Sequence, residues 1–184
     1  MGAKTMTHAE PTPPLGPREV SNALRTTLLA IRVECTGLPP ALLRWHPAPG
    51  EWCILEVIGH LIEAEERGFA GRVRTLRADT DPEFRTWDQD AVARSRRDCE
   101  RDPAGLLAEW TRLREASAAL VDGLTQGDLQ RAGRHPSVGR LSIADLLAEW
   151  VHHDRNHQRQ ILANVQAYVW PHMGNARRFS RPES

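Results

Sequence analysis

Ile143, Leu146, Trp150, His153, His157, Ile161, Val165 and Tyr168 recur at three- and four-residue spacing along the segment Leu141 to Trp170, uninterrupted by proline or glycine. That period marks one face of a single long α-helix, and such a face must be buried against other helices. Ser142-Ile143-Ala144-Asp145 supplies the capping-box pattern that starts the helix, and Trp170-Pro171 closes it. Two positions on this apolar line are histidines, so the feature that dictates a helical bundle also places imidazoles inside it.

Three further segments carry the same period. The first follows Pro17, a residue suited to an N-terminal helical position, with the stripe Val20, Leu24, Leu28, Ile31 and Cys35, and Gly37, Pro39 and Pro40 end it. The second runs from Cys53 to about Arg77 through Ile54, Val57, Ile58, Leu61, Glu65, Phe69, Val73 and Leu76. The third starts at Asp102-Pro103 and runs through Leu106, Trp110, Leu113 and Leu120 to Gly123 or Gly127. No segment alternates as a strand does. The expectation is an all-α protein, a four-helix bundle with a long crossover between helices two and three, which lets those two run parallel. A short helix near Gln89 to Arg97 fits within the crossover. Residues 1–16 read as a disordered leader, 17–170 as the bundle, and 171–184 as a polar, mobile tail.

The bulk numbers narrow the function. Lys plus Arg is 24 and Asp plus Glu is 24, so the formal net charge is zero and nothing draws the 184-residue chain to nucleic acid or an anionic membrane. No apolar run reaches the ~20 residues that span a bilayer, and residues 1–17 lack the apolar core of a signal peptide, so a cytoplasmic location is expected. Cys35, Cys53 and Cys99 are odd in number with no CxxC spacing. They imply neither a disulfide framework nor a thiolate metal site, and each is expected to be a small packing residue.

His153 and His157 stand four apart on the inward face, where their rings can grip one metal ion, and His60 on the second helix offers a third imidazole beside small Ala64. His152 is one residue off the line, and the position four beyond it is Asn156. The ordinary reading of a helical HxxxH pair is packing or a surface accident; the inward orientation and the third histidine weigh against it. Glu149 and Glu56, each four residues before a histidine, suit either a ring N–H acceptor or a surface ion pair.

The run Gly50-Glu51-Trp52-Cys53-Ile54-Leu55-Glu56-Val57-Ile58-Gly59-His60-Leu61-Ile62-Glu63-Ala64-Glu65 resembles the opening of helix two in the DinB-like (YfiT-like) superfamily. His153-Asp154-Arg155-Asn156-His157-Gln158-Arg159-Gln160-Ile161 resembles its second block, a His-Asp-x-x-His run followed by Gln-Ile. The likeness covers about residues 17–170. It implies a four-helix bundle with a long crossover, a homodimer, and one divalent metal held by three histidines, which map to His60, His153 and His157. Cys53 departs from the family's usual serine at the start of helix two, at a capping cost of ~1 kcal/mol.

Three imidazoles leave a zinc ion with net charge and an open coordination position, as catalytic rather than structural sites do. All-imidazole ligation suits zinc or nickel first, and also iron or copper. Such a site can activate water for hydrolysis or hold a thiol as thiolate. The resemblance implies a transferase joining a low-molecular-weight thiol such as bacillithiol or mycothiol to electrophiles in stress or detoxification. A metal-dependent hydrolase and a non-enzymatic, stress-induced, metal-stabilised dimer are the alternatives. Asp154 lies about a hundred degrees round the helix from His153, which suits pairing with a neighbouring helix better than a base role. Trp110 and Trp150 read as core. Trp45 and Trp52 read as loop anchors or pocket walls, Trp87 as a crossover residue, and His46 and His135 as loop residues. Arg155 and Arg159 read as solvated, or as guides for an anionic thiol cofactor.

Overall fold

The computed structural model describes residues 12–180. Its helices, in chain order, are α1 (Pro17–Gly37), α2 (Pro40–Leu43), α3 (Ile54–Glu63), α4 (Phe69–Ala78), α5 (Gln89–Arg96), α6 (Pro103–Asp122), α7 (Gln126–Leu129) and α8 (Ile143–Val169). Most of the proposed leader lies outside the described residues, and 12–16 take no regular structure. Beyond α8, Trp170–His172 and Gly174–Ser180 form 3₁₀ turns, tied back where Arg177 donates to the carbonyls of Trp170 and Pro171. Among the described residues no helix is long and apolar enough to cross a membrane.

The caps act where the sequence places them. Pro17 opens α1, Asp102 accepts from Gly105 N–H at 2.8 Å to open α6, and Ser142 and Asp145 exchange reciprocal bonds to open α8. α3 and α4 form the expected second helix, but a π-helical turn at Ala64–Gly68 joins them. The extra residue in that turn changes the stripe's phase. It brings both Ala64 and Glu65 inward, and a Cβ at Gly71 would meet the Glu66 carbonyl oxygen at 2.1 Å.

α1 packs on α6 and α8, and α3 packs on the same two, so α1 and α3 sit diagonally. Two layers of core fix the directions. At one end Ile31, Cys35, Ile54, Ile58, Leu106, Trp110 and Ile161 pack together; at the other, Val20, Leu24, Val73, Val121, Leu146 and Trp150 do. The second helix and α6 therefore run parallel, as the long crossover allows, and α1 runs parallel to α8.

The buried line of α6 differs from its apolar stripe. Leu113 and Leu120 are only partly buried, whereas Arg114, Ser117 and Val121 face inward. The Arg114 guanidinium is fully buried between the Trp110 and Trp150 rings, 5.3 and 5.7 Å from their centroids. It pairs with Asp154 through both Nη atoms and lies 2.5 Å from Glu65, so one cation holds carboxylates from α8 and the π turn. Asp154 thus takes the neighbouring-helix partner that its place on α8 suggests.

The crossover carries α5 and turns back through a left-handed residue, Arg97 (φ +52°), to bury Asp98. Arg96 donates to Asp98 (2.7 Å) and Glu63 (2.9 Å), and Arg101 donates to Asp98 (3.0 Å). Asp98 lies against Gly59, where a Cβ would come within 1.8 Å of its carboxylate. A hairpin corrects the expectation of no strands: β1 (Ala132–His135) pairs antiparallel with β2 (Gly139–Ser142). Its second partner is the crossover, since Phe84 N–H donates to Arg134 O and Arg134 N–H to Pro82 O, both at 2.8 Å. Backbone bonding to a distant loop, rather than side-chain alternation, makes this strand, so no period of two announces it.

Cys53 and Cys99 correct the reading of separate packing residues, because they form a disulfide between the N-terminus of α3 and the end of the crossover. Cys35 is the buried packing residue expected of all three.

Replacing Gly59 with alanine is expected to cost about 1–3 kcal/mol, since Asp98 must move with its partners. Gly37→Ala, with open space around its Cβ, is the control that leaves the urea midpoint unchanged or raised. Arg114→Leu is expected to cost about 3–5 kcal/mol near neutral pH and less in acid, where buried Glu65, its pKa already raised, protonates; urea unfolding at several pH values measures both.

Candidate metal centre

α3 and α8 bring three imidazoles to one point. His60 Nε2 lies 3.0 Å from His153 Nε2, and His153 Nε2 lies 3.2 Å from His157 Nε2. All three sequence-derived ligands, His60, His153 and His157, are therefore together. His60 is buried, at 9 % exposure, beside Ala64 at 5 %. The rings are walled by Trp52 on His60 and Phe69 on His153, each with centroids 5.1 Å apart.

Bonds of 2.0–2.1 Å to a tetrahedral zinc place neighbouring nitrogens about 3.3 Å apart, so the spacing here matches one face of such a site. Gln160 Oε1 sits 2.9 Å from His157 Nδ1, which sets the N–H there and turns the Nε2 lone pair inward. His153 Nδ1 is buried and has no hydrogen-bond partner among the described residues.

Burial pushes the His60 imidazole down to about 4, with His157 adding to the effect. It pushes His153 down to about 3, helped by His157, His60, Arg114 and His152. His157 is lowered too, chiefly by burial. Near neutral pH all three rings are neutral, with their Nε2 atoms turned toward one another. That arrangement favours a shared cation, and the donor set fits a divalent metal.

The surrounding carboxylates are mostly committed elsewhere. Glu56 accepts from Cys53 N–H at 2.8 Å and lies 3.0 Å from His46 Nε2, so it does not orient His60. Glu149 stands on the exposed face near His152, at 3.9 Å, rather than on His153. Asp154 and Glu65 belong to Arg114, and burial of Glu65 raises its pKa against the pull of that cation.

Beside the histidines a cavity of about 990 Å³ has His60 and His153 in its wall, with Ala64, Gly68, Phe69 and Trp87. The π turn makes this room by presenting Ala64 and Gly68. Trp87, from the crossover, and His135, from β1, both reach the cavity. Trp45 anchors its loop on Tyr168, and Trp110 and Trp150 are core, as expected. Arg155 bonds Gln158 and Arg159 bonds Asn156 along the helix face.

The roles of two contributors were not drawn from the sequence, although Gln160 stands in the His153–Ile161 block. Gln160, three residues after His157, had a signal in its spacing. Arg72, whose buried Nε has no hydrogen-bond partner among the described residues and whose guanidinium sits 5.4 Å from the Phe84 and Trp87 rings, had none.

The DinB superfamily profile matches residues 5–161. A protein of Bacillus licheniformis described as a candidate metal-dependent hydrolase is 29% identical over 122 residues, covering 66% of this chain and 69% of its own. YfiT from Bacillus subtilis, described as a probable metal-dependent hydrolase with an unusual four-helix bundle topology, superposes with a TM-score of 0.77 at 19% identity. That match covers 90% of this chain and 96% of YfiT.

His60 and His153 lie below the ordinary 6.5 when folded, so the unfolded chain binds protons first as pH falls. Stability of the metal-free protein is expected to be full above about 6.5 and to decline from there toward about 3, as read by denaturant titration. Zinc at 100 times its Kd is expected to add about 2.7 kcal/mol to the wild type. His157→Ala is expected to lose that gain and the bound metal, measured by melting and metal analysis.

Proposed function

The chain belongs to the DinB superfamily, and we propose that it is a metal-dependent enzyme activating a low-molecular-weight thiol, of the bacillithiol or mycothiol type, for conjugation to an electrophile. The supporting observation is the convergence of three neutral imidazoles beside a large cavity, with the neighbouring carboxylates Asp154, Glu65 and Glu56 held by other partners. A thiol needs no separate base once its proton is displaced, whereas many hydrolytic sites supply one.

His60, His153 and His157 would hold the metal, and Gln160 would fix the His157 ring. A divalent metal so held supplies a Lewis acid that lowers the pKa of a thiol or water sharing its coordination sphere. Arg72, a cation that lines the cavity, would bind a carboxylate of the thiol, and Phe69 and Trp87 would pack on the apolar part of the electrophile. Zinc and nickel are the proposed metals.

Hydrolysis is the second reading. It is favoured by the description of the Bacillus licheniformis relative and by Glu149, a cavity-wall carboxylate whose side chain is 62% exposed.

Metal-loaded protein is expected to consume an electrophile such as a haloacetamide only when an anionic thiol is added. His153→Ala is expected to abolish that activity. Arg72→Leu is expected to raise KM for the thiol about 10- to 100-fold with little change in kcat, the loss of one charge-assisted hydrogen bond. Turnover of esters or amides without thiol, and no thiol-dependent turnover, selects the hydrolase.

A further inference from the structure

A second group of metal-ligating side chains lies outside the histidine centre. His46 on the loop after α2, Cys53 and Glu56 at the start of α3, and Cys99 at the end of the crossover place their ligand atoms within 4.8 Å of one another. We propose that, in the dithiol state, Cys53, Cys99, His46 and Glu56 form a second divalent-cation site of structural zinc type, which the Cys53–Cys99 disulfide closes.

Two sulfurs, one imidazole and one carboxylate are a complete set of four donors, the closed arrangement of structural zinc sites. They come from three separate stretches of chain, so their meeting is not a by-product of one helix. His46 Nε2 is 3.8 Å from Cys99 Sγ and 3.0 Å from Glu56 Oε2. Zinc bonds of 2.0–2.3 Å require donor separations of about 3.3–3.8 Å, so small side-chain rotations suffice once the sulfurs part. The Cα atoms of the two cysteines are 6.8 Å apart, which leaves room for that parting. Cys53 also caps α3, where helix N–H groups and the macrodipole favour a thiolate. The helix-capping serine that the family resemblance leads one to expect would offer no thiolate.

Opening the site takes two electrons. With a phosphine, the phosphorus lone pair attacks one sulfur and the S–S bond breaks, releasing the other as thiolate. Water then converts the phosphonium to phosphine oxide, leaving two thiols. Zinc binding sends their protons to solvent. Hydrogen peroxide reverses the change, oxidising the two thiols to the disulfide as it is reduced to two waters. In both states residues 53 and 99 stay linked, by a covalent bond or through the cation. What changes is whether the cation is held.

The test uses the full chain, stripped of metal and reduced with a water-soluble phosphine, then titrated with Co²⁺. The expected result is two equivalents bound, one giving thiolate-to-cobalt charge-transfer absorption, which three imidazoles cannot produce. Zn²⁺ should bleach that band. Cys99→Ser and peroxide-treated wild type should each lose the band and one equivalent while keeping the other. His157→Ala should keep the band and lose the other equivalent, so the two sites fail separately. His46→Ala, with its melting temperature checked first, should weaken the sulfur site at least tenfold. A fully reduced protein with three titratable thiols and no charge-transfer band would overturn the proposal and leave a plain disulfide.

Discussion

The Arg114 guanidinium sets the terms for the interior. A cation with no exposure to water must be matched by charge, and the matching carboxylates come from α8 and from the π turn of the second helix. Burial alone would lower the Arg114 pKa, but Asp154 and Glu65 outweigh it and keep the group charged. Trp110 and Trp150 sandwich the guanidinium, so apolar packing and charge pairing occur in the same layer. This contact fixes the rotation of α8. With Asp154 locked toward α6, the adjacent His153 has to project toward α3, and His157 follows one turn later. The histidine cluster therefore inherits its geometry from an ion pair that lies outside it.

The same contact gives the π turn a purpose in packing. Glu65 reaches Arg114 from within that turn, which also leaves Ala64 and Gly68 facing the space beside the histidines. The crossover completes the enclosure. Asp98 is buried against Gly59 and bound by Arg96 and Arg101, so the strand of chain that carries Trp87 is held at both ends. Rigid supports around the three imidazoles narrow the range of orientations that their rings can take.

Much of this was legible in the sequence. Period and capping residues identified the four long helices, and the length of the 79–102 segment anticipated the parallel pair. His60, His153 and His157 were identifiable because polar rings on an apolar line need a partner. Arg114 was hidden, since a charged residue is not counted in an apolar stripe; only Glu65, an acid on the second helix's inward line, hinted at a buried counter-charge. The hairpin at 132–142 was invisible because its stability rests on backbone bonds to Pro82 and Phe84, some fifty residues away in sequence. The Cys53–Cys99 pairing was equally non-local. No spacing rule links two cysteines separated by 46 positions when a crossover of irregular path brings them together. Arg72 looked like any other arginine of an arginine-rich chain.

The parallel course of α1 and α8 has a consequence for joining the molecule to anything else. The start of α1 lies in the layer with Val73 and Trp150, whereas the end of α8 lies toward the layer with Ile54 and Trp110. A helix of 21 residues is about 31 Å long. A peptide joining those two points of one molecule would have to travel the full height of the bundle, so a circular permutation needs a long linker, and labels at the start of α1 and the end of α8 report on opposite poles.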